Sequence, residues 1–288
     1  MPSGVPAAAG FAAATAVELT ETIDGPDGDG GAGSRRRFRA EVHDGWDIGG
    51  NANGGYVLAI AGRAMAAAMG RPPLTVTAHY LAPAPPGPCE VIVTTVRPGG
   101  RLATCTASLV QSGRELIRVL GTFGTPADRG HRYIDGAPPE LPPYRECVAR
   151  ADAAPPAEGG FPASGLMDRL AVRMHPDALA FAMGSPTGRA ETSGWFAFAQ
   201  EEPIDEIGLL LVADAMAPAV FNSGLPMGWV PTVELTVHVR AQPAPGPLRC
   251  RFTTRFVAGG ALEEDGEVWD TAGVLVAQSR QLALTPRT

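Results

Sequence analysis

A ten-residue passage occurs twice in this chain, and no other feature restricts its fold as much. His79-Tyr80-Leu81-Ala82-Pro83-Ala84-Pro85-Pro86-Gly87-Pro88 returns as His238-Val239-Arg240-Ala241-Gln242-Pro243-Ala244-Pro245-Gly246-Pro247, a displacement of 238 − 79 = 159 residues. At that displacement His, Ala, Pro, Gly and Pro recur in step, and Thr94-Thr95 meets Thr253-Thr254. After a slip of one residue, Gly99-Gly100 meets Gly259-Gly260, Leu102 meets Leu262 and Gly113 meets Gly273. The period is far longer than the roughly 20–50 residues of solenoid repeats, so the chain reads as a duplicated domain. A polar residue present in one copy and missing from the other is then a candidate for function.

The 288 residues suffice for two domains of ordinary size. With 45% apolar and 18% charged residues, the composition is that of a globular protein. A net charge of −7 predicts neither a nucleic-acid nor an anionic-membrane partner. All 23 basic residues are Arg, which excludes lysine Schiff-base chemistry and a P-loop lysine and leaves Arg to meet any anionic ligand. Cys89, Cys105, Cys147 and Cys250 are far apart and show no metal-ligand spacing, so they read as buried hydrophobes in a reducing compartment and no metal is expected. The Ala-rich stretch from Met1 to Ala14 lacks a basic start and a Leu-rich core, and reads as a frayed tail, not a signal peptide. No apolar run approaches the ~20 residues of a membrane span, and a cytoplasmic location is expected.

The expected organisation is an N-terminal repeat over 1–124, a Pro/Gly/Ala-rich linker over 125–164 and a C-terminal repeat over 165–288. In the first copy the patterns predict strands near 17–22 and 36–43, a helix over 53–69, and strands near 74–81, 89–97, 102–111 and 115–123. In the second they predict strands near 169–175 and 191–199, a helix over 204–220, and strands near 233–240, 248–256, 262–269 and 274–284. Pro-Gly, Gly-Gly and Ser-Gly or Ala-Gly turns link the last four strands of each copy into a meander. Both helices are apolar on nearly every side, so each must be wrapped by its sheet. The fold class is α+β: a double hotdog, two fused repeats, each a curved antiparallel sheet around a central helix.

The most anomalous residue is Asp214, a lone carboxylate inside Leu209-Leu210-Leu211-Val212-Ala213-Asp214-Ala215-Met216-Ala217. Burying such a group is expensive without a partner or a task. Pro218, four residues on, has no N–H for the Asp214 carbonyl, so the helix should kink or end there. The bland alternative is a structural Asp that caps a backbone group or pairs with a buried Arg. At the 159-residue displacement Asp214 falls on Gly55, within Gly49-Gly50-Asn51-Ala52-Asn53-Gly54-Gly55-Tyr56 at the start of the first helix. The amides of Gly54 and Gly55 could face an oxyanion or a thioester carbonyl, or Asn53 could be an ordinary N-cap in a tight turn. Thr232 and Gln281 are unremarkable alone on their strands, and the matched His79 and His238 read as structural. G-x-S-x-G, HExxH and GxGxxG are all absent.

From about Phe38 to Leu284 the chain resembles the acyl-CoA thioesterase II family of double-hotdog proteins. The stretches that carry the resemblance are Gly45-Trp46-Asp47 through Asn53-Gly54-Gly55-Tyr56, Ala213-Asp214-Ala215, Trp229-Val230-Pro231-Thr232 through His238, and Gly266-Glu267-Val268-Trp269-Asp270 through Gln281. The resemblance implies hydrolysis of acyl-CoA to free acid and CoA by water held between a helix Asp, a strand hydroxyl and a late Gln. It places these on Asp214, on Thr232 with Thr236 as alternative, and on Gln281 with Gln278 as competitor. Gly54 and Gly55 would polarise the thioester carbonyl. No cofactor is implied, the partner is a small-molecule acyl thioester, and exposed sheet edges permit a homo-oligomer. At displacements of 159 or 160 the three residues land on Gly55, Pro73 and Gly121, which predicts one working site per chain. Two rival readings remain: a non-catalytic acyl-thioester binder, and a hotdog hydratase or dehydratase, which would need a His close to its Asp.

Overall fold

The computed structural model describes residues 10–26, 28, 30–125, 131, 133–149 and 164–286. In the first repeat, α1 (Phe11–Ala14) precedes β1 (Glu18–Ile23), β2 (Arg35–Val42), the small hairpin β3 (Asp47–Ile48) and β4 (Asn51–Ala52), and helix α2 (Gly54–Met69). The meander β5 (Pro73–Tyr80), β6 (Gly87–Arg97), β7 (Leu102–Gln111) and β8 (Arg114–Gly124) follows. The second repeat contains β9 (Val148–Ala149), α3 (Leu166–Arg169), β10 (Arg173–Met174), β11 (Glu191–Phe196) and α4 (Gly208–Val212). It ends with β12 (Thr232–Val239), β13 (Leu248–Thr253), β14 (Val257–Ala258), β15 (Ala261–Trp269) and β16 (Leu275–Leu284).

One antiparallel sheet runs through both repeats in the order β1-β2-β6-β7-β8-β5-β12-β16-β15-β13-β11-β10-β9. The two halves mirror one another about the pairing of β5 with β12. On that seam Thr77 stands directly opposite Thr236, its counterpart 159 residues on, and their hydroxyls lie 2.9 Å apart. A pseudo-twofold axis therefore passes between these two threonines. The repeated Pro-Gly-Pro turns keep their geometry too, since Gly87 and Gly246 both have positive φ, 136° and 117°, which favours glycine. This is the double hotdog that the element order predicts.

The sheet curls around α2, whose residues from Gly55 to Gly62 are all buried. The helix begins on an Asn53 cap whose side chain accepts the Tyr56 N–H, and ends on Gly70 in the left-handed conformation. Among the described residues no helix is long and apolar enough to cross a membrane.

Four expectations need correction. The second helix, expected over 204–220, is α4 alone, with a separate 3-10 turn at Ala219–Ser223 that ends on left-handed Gly224. The break lies where Pro218 removes a donor. The strand expected over 169–175 starts as α3 and narrows to β10. The end of the supposed tail is built in: Phe11 and Ala14 are buried, and the Phe11 ring stacks on Phe198 at 4.8 Å and lies 5.8 Å from Trp46. Residues 1–9 lie outside the described ones. Part of the supposed linker belongs to the second repeat, because β9 pairs with β10 and the Trp195 indole N–H donates to the Pro142 carbonyl at 2.9 Å; residues 126–130, 132 and 150–163 lie outside the described ones.

Candidate active site

Asp214 stands where α4 stops. Its N–H donates to the Leu211 carbonyl at 3.0 Å, a three-residue turn that closes the helix. With Pro218 unable to serve it, the Asp214 carbonyl accepts instead from Asn53 Nδ2 at 2.8 Å. The same amide nitrogen donates to Asp214 Oδ2 at 3.0 Å, and the Gly55 N–H donates to that oxygen at 2.9 Å. Asn53 thus uses its oxygen to cap α2 and its nitrogen to bind the Asp of the other repeat. Burial drives the Asp214 pKa up to about 6, and the donors from Gly55, Asn53 and Gly54 moderate the rise. No side chain among the described residues hydrogen-bonds Oδ1.

The start of α2 has room for glycine only. A Cβ on Gly55 would lie 2.9 Å from Asp214 Cβ and from the carbonyl oxygens of Leu210 and Leu211. A Cβ on Gly54 would lie 3.0 Å from Asp214 Oδ2. The Gly55 amide, expected to face a substrate oxyanion, is already committed to the carboxylate, and the Gly54 amide also acts on that group. As built, the Gly55 amide holds the Asp.

Asp214 opens into a cavity of about 360 Å³ whose wall draws on both repeats. Asn53, Tyr80, Thr232, Glu264 and Gln281 share its polar lining, and Phe221, Trp229 and Phe252 contribute apolar surface. The strand pleat separates Gln281 from Gln278, and a register irregularity between Thr232 and Glu234 separates Thr232 from Thr236. Thr232 and Gln281 line the cavity, whereas Thr236 bonds to Thr77 and Glu234, and Gln278 accepts from Arg240 at 2.8 Å on the outer face. Among the described residues no histidine lines the cavity.

The ladders correct one counterpart and support two. Gln281 pairs with Leu235 as Gly121 pairs with Val76, and Thr232 pairs with Ala283 as Pro73 pairs with Phe123. In the helical region the displacement changes: the two left-handed caps, Gly70 and Gly224, are only 224 − 70 = 154 residues apart. The displacement of 159 that pairs Asp214 with Gly55 therefore does not hold across the helices, and the five additional residues fall in the loop before β12 that carries Trp229. Gly55 meets Asp214 because the two helix ends pack together, not because they are equivalent.

Two residues escaped the sequence reading. Glu264 hides in the acidic run Glu263-Glu264-Asp265, yet alternation along β15 turns it inward, opposite Gln281. Its first-repeat counterpart, opposite Gly121, is the buried Cys105. Glu264 Oε2 accepts the Ala219 N–H at 2.6 Å, and burial raises its pKa to about 7, with the charge of Asp214 adding to the rise. Tyr80 was overlooked beside the repeated His79; its second-repeat counterpart is Val239. All four cysteines are free and buried.

Two protein-family profiles match the chain: the acyl-CoA thioesterase N-terminal domain over residues 42–124 and the acyl-CoA thioesterase C-terminal domain over residues 145–285. A chain from Thermobifida fusca YX, provisionally called a thioesterase II, superimposes with a TM-score of 0.81 at 29% identity, covering 98% of this chain and 99% of that one. A hot dog protein of unknown function from Alicyclobacillus acidocaldarius gives a TM-score of 0.77 at 22% identity, covering 96% and 98%, and supports the fold. An uncharacterized protein of Mycobacterium tuberculosis is 30% identical over 279 residues, which span 90% of this chain and 94% of the relative. The chain belongs to the acyl-CoA thioesterase family, with both domains of that family in one polypeptide.

Proposed function

We propose that the protein hydrolyses an acyl-CoA thioester to the free acid and CoA with water activated by Asp214. The observation that carries this reading is a carboxylate fixed through Oδ2 by Asn53 and Gly55, with Oδ1 left for water, at the wall of a cavity large enough for an acyl group. Water on Oδ1 attacks the thioester carbon while Asp214 takes its proton. Collapse of the tetrahedral intermediate expels the CoA thiolate, which recovers that proton. Thr232 and Gln281, which line the same cavity, orient the water. A base with a pKa near 6 is stronger than an ordinary carboxylate yet still ionised at neutral pH.

The test is thiol release from a panel of acyl-CoAs by the wild type and Asp214→Asn. Turnover should fall by about 10²–10⁴-fold in the variant, the usual contribution of a general base. Because the base must be deprotonated, wild-type kcat/KM should rise as pH increases through about 6 and level off above it. Unchanged turnover in Asp214→Asn overturns the mechanism. Calorimetric retention of acyl-CoA without thiol release by the wild type replaces hydrolysis with the binder reading.

A further inference from the structure

With the Gly55 amide committed to Asp214, the developing oxyanion needs another donor, and one stands unused in the cavity wall. The Tyr80 hydroxyl is buried and has no hydrogen-bond partner among the described residues. A buried donor without an acceptor is costly, and because Tyr80 lines the cavity an acceptor on the ligand would satisfy it. The ring lies beside the carboxylate. The point where a Cβ on Gly54 would stand is 3.0 Å from Tyr80 Cε1, 3.1 Å from Tyr80 Cζ and 3.0 Å from Asp214 Oδ2. Burial, reinforced by the negative charges of Asp214 and Glu234, holds the phenol well above its ordinary pKa, so the proton stays on the oxygen and can be donated in a hydrogen bond.

We propose that Tyr80 is a catalytic residue whose O–H donates a hydrogen bond to the carbonyl oxygen of the bound thioester and stabilises its charge as water adds. This deepens the hydrolytic reading and rests on it. When Asp214 takes the proton of the attacking water, the carbonyl electron pair moves onto oxygen and meets the Tyr80 proton, which remains on Tyr80. When that pair returns, the C–S bond breaks and the thiolate leaves with the proton held by Asp214. The sum is thioester plus water to acid plus thiol, with Tyr80 unchanged. Tyr80 comes from the first repeat and Asp214 from the second, so each repeat contributes one group to the reacting carbonyl.

The experiment pairs kinetics with a readout that needs no turnover. Tyr80→Phe keeps the ring and removes only the hydroxyl, so it should fold at least as stably as the wild type. Its kcat should fall by about 10²–10³-fold, the usual effect of losing one oxyanion donor, while KM stays within about threefold. Independently, the infrared carbonyl stretch of an acyl-CoA bound to Asp214→Asn should move to lower wavenumber, and the move should vanish in Asp214→Asn/Tyr80→Phe. A kcat within about threefold of wild type, or a carbonyl band indifferent to Tyr80, overturns the proposal. If the wild type hydrolyses nothing but the band shift depends on Tyr80, the contact stands and the hydrolytic reading fails.

Discussion

The two repeats share a sheet plan and differ most in what that sheet encloses. In the first, α2 runs unbroken for 16 residues between an Asn cap and a left-handed Gly. In the second, the matching stretch is five residues of α4, an irregular crossing past Asp214 and a short 3-10 turn, again ended by a left-handed Gly. The intact helix offers spare donors at its start, and the broken one offers a carboxylate and an orphan carbonyl. Each repeat thus supplies what the other lacks. The cost of breaking a helix inside a protein is offset by hydrogen bonds from its neighbour, and residues of the break line the cavity.

The contrast is most easily broken at Gly55. Gly55→Ala adds a methyl against two backbone carbonyls and the Asp214 side chain. A loss of about 2–4 kcal/mol is expected in denaturant unfolding, together with a fall in activity. Wild-type stability in that variant would show that the two helix ends do not pack this closely. Next in size is the difference between the sheet faces. Gln281→Ala should lower kcat/KM by about 10–100-fold if a water-positioning contact is lost, whereas Gln278→Ala on the outer face should stay within about twofold. Equal effects would erase the assignment of the inner face as the working one.

The last comparison sets Glu264 against Cys105. Its ordinary pKa of 4.5 rises to about 7 on folding, so between those values the native state keeps a proton that the unfolded chain has released. Stability contributed by this group therefore falls as pH rises through that window, by at most on the order of 3 kcal/mol. Glu264→Gln retains an acceptor for the Ala219 N–H and removes the titration. Its melting temperature should exceed that of the wild type at pH 8 and converge with it near pH 4.5. A gap independent of pH would show that Glu264 does not titrate in this window.

Much of this was legible in the sequence, for reasons that differ by region. The meanders announce themselves because alternating strands and glycine turns are local signals, and the duplication allows each copy to check the other. Asp214 stood out because a charge among leucines is rare. The second helix was overextended because Ile207 to Val220 is apolar apart from Asp214, and only that residue and Pro218 mark the stop. The counterpart of Asp214 was misplaced because a displacement measured on strands was carried across a loop of different length. Glu264 was masked by two acidic neighbours, and Phe11 by the alanines around it. The commitment of the Gly55 amide depends on how two helix ends meet, which no local pattern reports.

The hydrogen bonds from Asn53 and Gly55 to Asp214 bear on assembly as well as chemistry. If the repeats were separate polypeptides they could associate in three combinations, two of like with like and one mixed. Only the mixed pair would bring the amides of one kind to the carboxylate of the other. Pairs of like with like would hold either donors without an acid or an acid without donors. Tethering the halves removes that lottery: every chain that folds forms the productive pair, at any dilution, because the encounter is intramolecular.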